Sequence, residues 1–372
     1  MTQTAPQNAA QQNAYNSMLL RSTGLYMTRK LQPQTAALGQ QVKINLERTG
    51  IVTGVLLKIT VPVDITAAAT ASPFAPFNFA QQVQYTDFAG LQRVNTNGFL
   101  LHALNNFKGH KVGGNAVNYS ALPSSEKLLN TNIENMPTAI STANMVYYMY
   151  VPLAYDPRQD LRGGVLAQAI YGEHYITLQL PAALVGSDPL AFPYTAGTVV
   201  LQAGQLVTVQ AFMNYIMPQS GAANLPLVDL STIYAIEGNM QDSSNITAGA
   251  DKYLNWPNNR AILSALHIFN QGATGGTLNE TDVNTITLLG NSNTNIKELL
   301  PDTLRYEMRY MLGTDMPSGT YYLPSRSQPI TTQLYGNVQT KFNIAMAAAN
   351  SYFMSQFEST YLSGTPLPGV IQ

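Results

Sequence analysis

The chain has no cysteine among its 372 residues. That excludes a disulfide framework, a thiolate metal site and a cysteine nucleophile, and it fits synthesis in a reducing cytoplasm. Charge is nearly as scarce. Lys, Arg, Asp and Glu make up 10% of the chain, against roughly 25% in ordinary soluble domains. A 40.4 kDa monomer should expose roughly 14,500 Å². The 19 basic and 20 acidic residues then leave about one charge per 370 Å², less than half the usual density. Such a surface predicts burial against other subunits. The net charge of −1 gives no bulk attraction to nucleic acid, and no sequence-specific nucleic-acid contact is expected.

Long apolar runs are also missing. A membrane-spanning helix needs about 20 apolar residues. The longest candidate here, "MVYYMYVPLAY" (Met145 to Tyr155), is shorter and contains a proline. The opening "MTQTAPQNAAQQNAYN" is polar, without the basic start and apolar centre of an export signal.

Groups that do chemistry are few. Of the four histidines, His102, His110, His174 and His267, none stands in a His-Glu-x-x-His pattern, and there is no Gly-x-Ser-x-Gly elbow. We expect no enzyme activity, no metal and no cofactor. "NNFKGHKVGGN" sets Lys108, His110 and Lys111 among glycines, an order that does not match a phosphate-binding loop and reads as a surface turn. The densest charge cluster is "YDPRQDLRGG", with Asp156, Arg158, Asp160 and Arg162. Interleaved opposite charges suit a rim ion-pair network between subunits, and equally a solvated loop. Asp156, Asp160 and Glu173 could meet as paired carboxylates, but their spacing does not single them out.

What the chain does have is strand signal. "QVKINLERTGIVTGVLLKITVPVDI" alternates apolar and polar residues. Further strands are predicted at Gln82–Phe88, Phe99–Phe107, Met145–Tyr155, His174–Leu180, Thr198–Gln202 and Gln205–Met217. Turn-rich segments such as "TAAATASPFAP" separate them. The stretch Met145 to Tyr155 is unusual because both of its faces are apolar. Met145, Tyr147, Met149 and Val151 share one face; Val146, Tyr148 and Tyr150 share the other. Something beyond the strand's own core must cover the second face.

After Pro218 the texture changes. "DLSTIYAIEGNM" predicts a short connecting helix, with Asp229 as cap and Gly238 just past its end. The second half repeats the strand pattern at Ala261–Asn270, Val283–Gly290, Thr320–Pro324, Ile330–Gly336, Val338–Met346 and Ser351–Ser359. A second helix is predicted at "PDTLRYEMRYMLG". The expected division is an N-terminal, partly helical arm at 1–41, a first β unit at 42–224, a connecting helix at 225–241, a second β unit at 242–358 and a tail at 359–372. The arm carries Arg21, Arg29 and Lys30 ahead of the first acid, Glu47. The arm reads either as a frayed terminus or as a segment that docks on an anionic membrane face or a neighbouring subunit, which would suit that charge.

Several blocks resemble the major capsid protein of tectivirus-like tailless icosahedral phages, which carry an internal membrane. They are "GIVTGVLLKIT", "YMYVPLAY" followed by "LRGGVLAQ", "LPLVDLSTIYAIEGNMQ", "TDMPSGTYYLPSRSQPI" and "QLYGNV". The resemblance implies an all-β double jelly roll, two tandem eight-stranded barrels with short helices and an N-terminal helical arm. It implies a homotrimer of pseudo-hexagonal outline tiling an icosahedral shell, with the arm facing the internal membrane. Minor vertex and membrane-associated capsid proteins would be its other partners. Tyr147, Tyr148 and Tyr150 are then candidates for a barrel or subunit interface. A secreted or surface carbohydrate-binding β-sandwich is the alternative, and a two-domain glycosidase a further one.

Overall fold

A computed structural model of the chain describes residues 24–108, 134–156, 161–167, 172–217, 232–242, 246–270, 282–291, 294–312, 319–325, 329–345 and 351–361. The first half contributes β1 (Leu25–Lys30), β2 (Gln34–Ala36), β3 (Gln41–Asn45), β4 (Ile51–Ala71), β5 (Gln82–Thr86) and β6 (Gln92–Thr96). Helix α1 (Gly98–Phe107) follows, then β7 (Ser141–Pro152), β8 (Val165–Leu166), β9 (Tyr175–Gln179), β10 (Tyr194–Leu201) and β11 (Val207–Met217). The second half contributes β12 (Tyr234–Asp242), β13 (Asp251–Asn255), β14 (Arg260–Asn270), β15 (Val283–Gly290) and β16 (Thr294–Leu299). Helix α2 (Pro301–Leu312) leads to β17 (Thr320–Pro324) and β18 (Ile330–Thr331). The turn-length helix α3 (Thr332–Tyr335) precedes β19 (Gln339–Ile344) and β20 (Tyr352–Tyr361).

The pairing reveals an internal repeat that the residues themselves do not show. In the first half one sheet runs β1–β11–β4–β7 and the facing one β3–β9–β5–β6, all antiparallel. In the second half the orders are β12–β20–β14–β17 and β13–β19–β15–β16, again antiparallel. Strand for strand the chain order is the same, and in each half a helix leaves the last strand of the second sheet and leads to the last strand of the first. Each half is an eight-stranded jelly roll, with β2, β8 and β10 added to the first and β18 to the second. Binary patterning builds the interiors. β3 alternates exposed and buried from Gln41 to Asn45, while β11 alternates buried and half-buried.

The halves meet as one sheet. β6 pairs in parallel with β12, Ile236 opposite Val94 and Glu237 opposite Asn95, and the resulting sheet has nine strands.

Five local expectations are corrected. Gly98–Phe107 is a helix, not a strand. The Asn97 side chain accepts a hydrogen bond from the Leu100 N–H at 2.7 Å and caps it, and eight of its ten residues are buried. Tyr234–Asp242, placed in the connecting helix, is the strand that joins the halves. Ile330–Gly336 is a strand of two residues followed by α3. In the arm, Leu25–Lys30 is a strand paired with β11, not helix. β4 also continues through "TAAATA" to Ala71, where the sequence reads as a turn.

Candidate interaction site at the seam between the halves

Gly238 sits where β12 crosses closest to β6. A Cβ built there would lie 3.0 Å from the Thr96 Cβ and on top of its hydroxyl. Its role is close approach of two strands, not helix termination.

Beside it, α1 lies across β20. Lys108, at the end of α1, forms an ion pair with Glu358 of β20, and both side chains are enclosed, 2% and 0% exposed. The Lys108 ammonium also donates to the Tyr155 carbonyl at 2.7 Å and the Tyr234 hydroxyl at 3.1 Å. It lies over the rings of Tyr155 and Tyr234 at 4.4 and 5.1 Å. Glu358 further accepts from the Tyr234 hydroxyl and, at 2.7 Å, from Ser264 Oγ. Burial alone would raise the Glu358 pKa. The Lys108 charge and the hydrogen bonds from Lys108, Tyr234 and Ser264 outweigh it and hold the carboxyl below its ordinary range. Burial, then the Glu358 charge, pushes the Tyr234 phenol well up.

Around this pair the seam is continuous. Thr96 Oγ1 donates to Gln356 Oε1, and Gln356 Nε2 donates to the Leu100 carbonyl at 3.1 Å. Phe107 stacks on Tyr322 with ring centroids 5.1 Å apart. At the rim Arg260 pairs with Glu237 at 2.8 Å and covers the Tyr361 ring at 3.4 Å. Nine of the ten residues of β20 are buried, because one face lines its own barrel and the other meets the first half.

The residues singled out by sequence are placed differently. Tyr147 is fully buried in the first barrel, edge-on to Phe77 at 5.4 Å. It faces the interior rather than an interface. Tyr148 and Tyr150 are half-buried on the outer face of the β1–β11–β4–β7 sheet. Tyr150 lies across Gly54, its hydroxyl filling the space a Cβ would take. Burial pushes its pKa up, opposed by a hydrogen bond with Asn214. Lys58 lies 5.8 Å from the Tyr148 ring. In the same outer-face cluster Thr28 Oγ1 donates to Asn214 at 2.9 Å.

Arg162 lies 5.5 Å from the Tyr155 ring, and Asp156 is half-buried beside it. Arg158, Asp160, Arg21, His110 and Lys111 lie outside the described residues. Arg29 pairs with Glu47 at 2.9 Å, and Lys30 is exposed. Glu173 pairs with Lys43 at 3.3 Å instead of meeting a second carboxylate. Among the described residues no cluster of three His, Asp or Glu could hold a metal ion.

Sequence reasoning placed Lys108 in a surface turn, where the structure encloses it, and missed Glu358. Their signals were present: a lysine ending an apolar segment, and one acid inside the apolar strand "SYFMSQFES". Each is costly to bury alone, so the two implied each other.

Two jelly rolls joined edge to edge define the double jelly-roll class of viral shell proteins. The same fold is found in the STIV MCP, with a TM-score of 0.67 at 11% identity over 91% of this chain and 98% of that one. The Faustovirus major capsid protein gives 0.56 at 9% identity, over 91% and 90%. Major capsid protein P2 of bacteriophage PM2 gives 0.51 at 9% identity, over 92% and 100%. The family is narrower than the fold. The N-terminal model of the P3 major capsid protein matches residues 27–218 and its C-terminal model residues 231–367, and the chain belongs to the P3 major capsid protein family. It is 29% identical to "Major capsid protein P3" of Enterobacteria phage PRD1 over 325 residues, 83% of this chain and 80% of that one. Its role is structural, its place the virion capsid shell, and copies of it assemble into the capsid lattice.

Proposed function

We propose that three copies of the chain form a trimer of pseudo-hexagonal outline, and that such trimers tile an icosahedral shell over an internal membrane. The observation that carries this is the β6–β12 seam. It fuses two barrels of like strand order into one block, so three blocks in a ring present six barrels. The sparse surface charge supports it, because side surfaces that face other subunits need few charges. The outer-face residues Tyr148 and Tyr150 and the loop carrying Asp156, Arg158, Asp160 and Arg162 belong to contacts between subunits in this reading. The arm with Arg21, Arg29 and Lys30 faces anionic lipid, and minor vertex and membrane-associated proteins complete the particle. The first barrel then runs from β1 to β11 (25–217) and the second from β12 to β20 (234–361), with the residues before, between and after them serving as arm, connector and tail.

Multi-angle light scattering on the purified protein tests the trimer. A mass near three times the 40.4 kDa chain is expected, and a stable monomer overturns it. Changing Tyr148 and Tyr150 together to Ser should leave only monomers. Neutralising Arg21, Arg29 and Lys30 should abolish co-sedimentation with anionic liposomes, and undiminished binding removes the membrane role of the arm.

A further inference from the structure

Two sheets of like build could receive helix α1, and it covers only one of them, β12–β20–β14–β17. The repeated strand order makes β1–β11–β4–β7 the counterpart of that sheet, and the pairing registers match the two residue by residue. A register shift falls at the same place in each, skipping Thr53 in β4 and Leu263 in β14. Counted from it, Tyr26 corresponds to Tyr234, Tyr150 to Tyr322 and Pro152 to Pro324. Tyr234 and Tyr322 are the rings that Lys108 and Phe107 meet. The aromatic landmarks of the seam therefore occur on both sheets.

The polar groups do not recur. Glu358 corresponds to Asn214, Ser264 to Gly54 and Gln356 to Phe212. On the second sheet Glu358 accepts from Lys108 and Ser264, and Gln356 donates to the Leu100 carbonyl of α1. On the first sheet Asn214 bonds Thr28 Oγ1 at 2.9 Å and the Tyr150 side chain. Strand β11, "VTVQAFMNYIM", contains no acid, and Lys58 adds a positive charge beside Tyr148 on the same outer face. An ammonium docked there would be enclosed among neutral groups near a second cation. A buried charge without a counter-charge is strongly destabilising.

We propose that the buried Lys108–Glu358 pair is a specificity device, which directs α1 to the β12–β20–β14–β17 sheet and bars it from the β1–β11–β4–β7 sheet of another copy. Chain order makes such a device useful. Glu358 follows Lys108 by 250 residues, whereas the first sheet is complete by Met217. Until β20 is made, the like surface that α1 can meet is the first sheet of a neighbouring chain. Docking there would join copies head to tail without closure, the arrangement that leads to open aggregates. The pair discriminates by what it forbids: its worth lies in the difference between two sheets more than in added stability.

The chain lacks cysteine, so an engineered pair reports a misplaced α1 directly. Across the true seam Asn95 of β6 faces Glu237, whose counterpart in β1 is Arg29. Asn95→Cys with Arg29→Cys bonds between chains when β6 and α1 settle on a first sheet. Asn95→Cys with Val200→Cys gives the background of chance encounters. The full chain is refolded from denaturant under mild oxidation, and interchain disulfide is read on a non-reducing gel. With the native charges it should stay at background, and a high yield there overturns the proposal. With Lys108→Met and Glu358→Leu it should rise about tenfold. Asn214→Glu puts the acid on the first sheet while the true seam keeps its own pair. It should raise the disulfide as well, a rise that a weakened seam cannot cause. A neutral double that unfolds cooperatively in denaturant and yet refolds at background overturns the proposal. If that double does not fold, Asn214→Glu decides, and background disulfide in it overturns the proposal.

Discussion

Tyr147 places its hydroxyl inside the first barrel, with no hydrogen-bond partner among the described residues. Burial raises its pKa, so it stays a neutral phenol. A buried polar group without a partner bears a desolvation cost that an apolar replacement of the same shape removes. Tyr147→Phe should therefore stabilise the protein by about 1 kcal/mol, seen as a higher Tm. Destabilisation of that size would reveal a partner for the hydroxyl. Lys108 and Glu358 show the opposite asymmetry. Glu358→Leu alone leaves a buried ammonium uncompensated and should cost roughly 3–5 kcal/mol in denaturant unfolding. Adding Lys108→Met should recover much of that loss. A double variant as weak as the sum of both singles would show that the two charges act independently.

At the scale of elements, the α1 cap has a value of its own. Asn97→Ala removes the acceptor of the Leu100 N–H and should cost about 1 kcal/mol. Because α1 carries Lys108 into the seam, hydrogen exchange should rise in α1 and in β20 together. Exchange confined to α1 would mean that the seam does not depend on the helix. Most strands were legible from alternation, since the period of two survives wherever one face meets a core. The errors fall where the partner is distant in sequence. "FLLHALNNF" is apolar enough for either period, and the cap at Asn97 was the overlooked sign. Tyr234–Asp242 was misread because Gly238 looked like a helix terminus, while its real constraint is Thr96, a residue of the other barrel. The arm was read as helix from propensity alone, and pairing with β11 overrides that at Leu25–Lys30. The two-faced strand at Met145 pointed to a covering surface. It could not show that Tyr147 faces inward while Tyr148 and Tyr150 line the outer sheet.

For the whole molecule the scarcity of charge makes one pH response readable. His102 stacks on Phe77 at 3.5 Å, and His267 is held between Ser355 and Thr340 at 2.8 and 3.0 Å. Burial lowers both pKa values to about 3. In the unfolded chain each would titrate near the ordinary histidine value of about 6.5. Between these values the unfolded state binds protons that the folded state refuses, so stability falls as pH falls and is full only above about 6.5. At pH 5 each ring should cost about 2 kcal/mol. Glu358 titrates in a lower window. Its folded pKa is depressed, so its contribution is intact above the unfolded carboxylate value of about 4.3 and is lost only as pH falls through its folded pKa. With 19 basic and 20 acidic residues, general charge repulsion stays small until the carboxylates begin to protonate near pH 4. A drop in Tm between pH 7 and pH 5 therefore reports the buried histidines, His102 and His267 together with His174, whose pKa burial also lowers. His267→Gln should flatten the slope in part even though it lowers Tm at pH 7. An unchanged Tm over that interval would mean that these rings accept protons inside the fold.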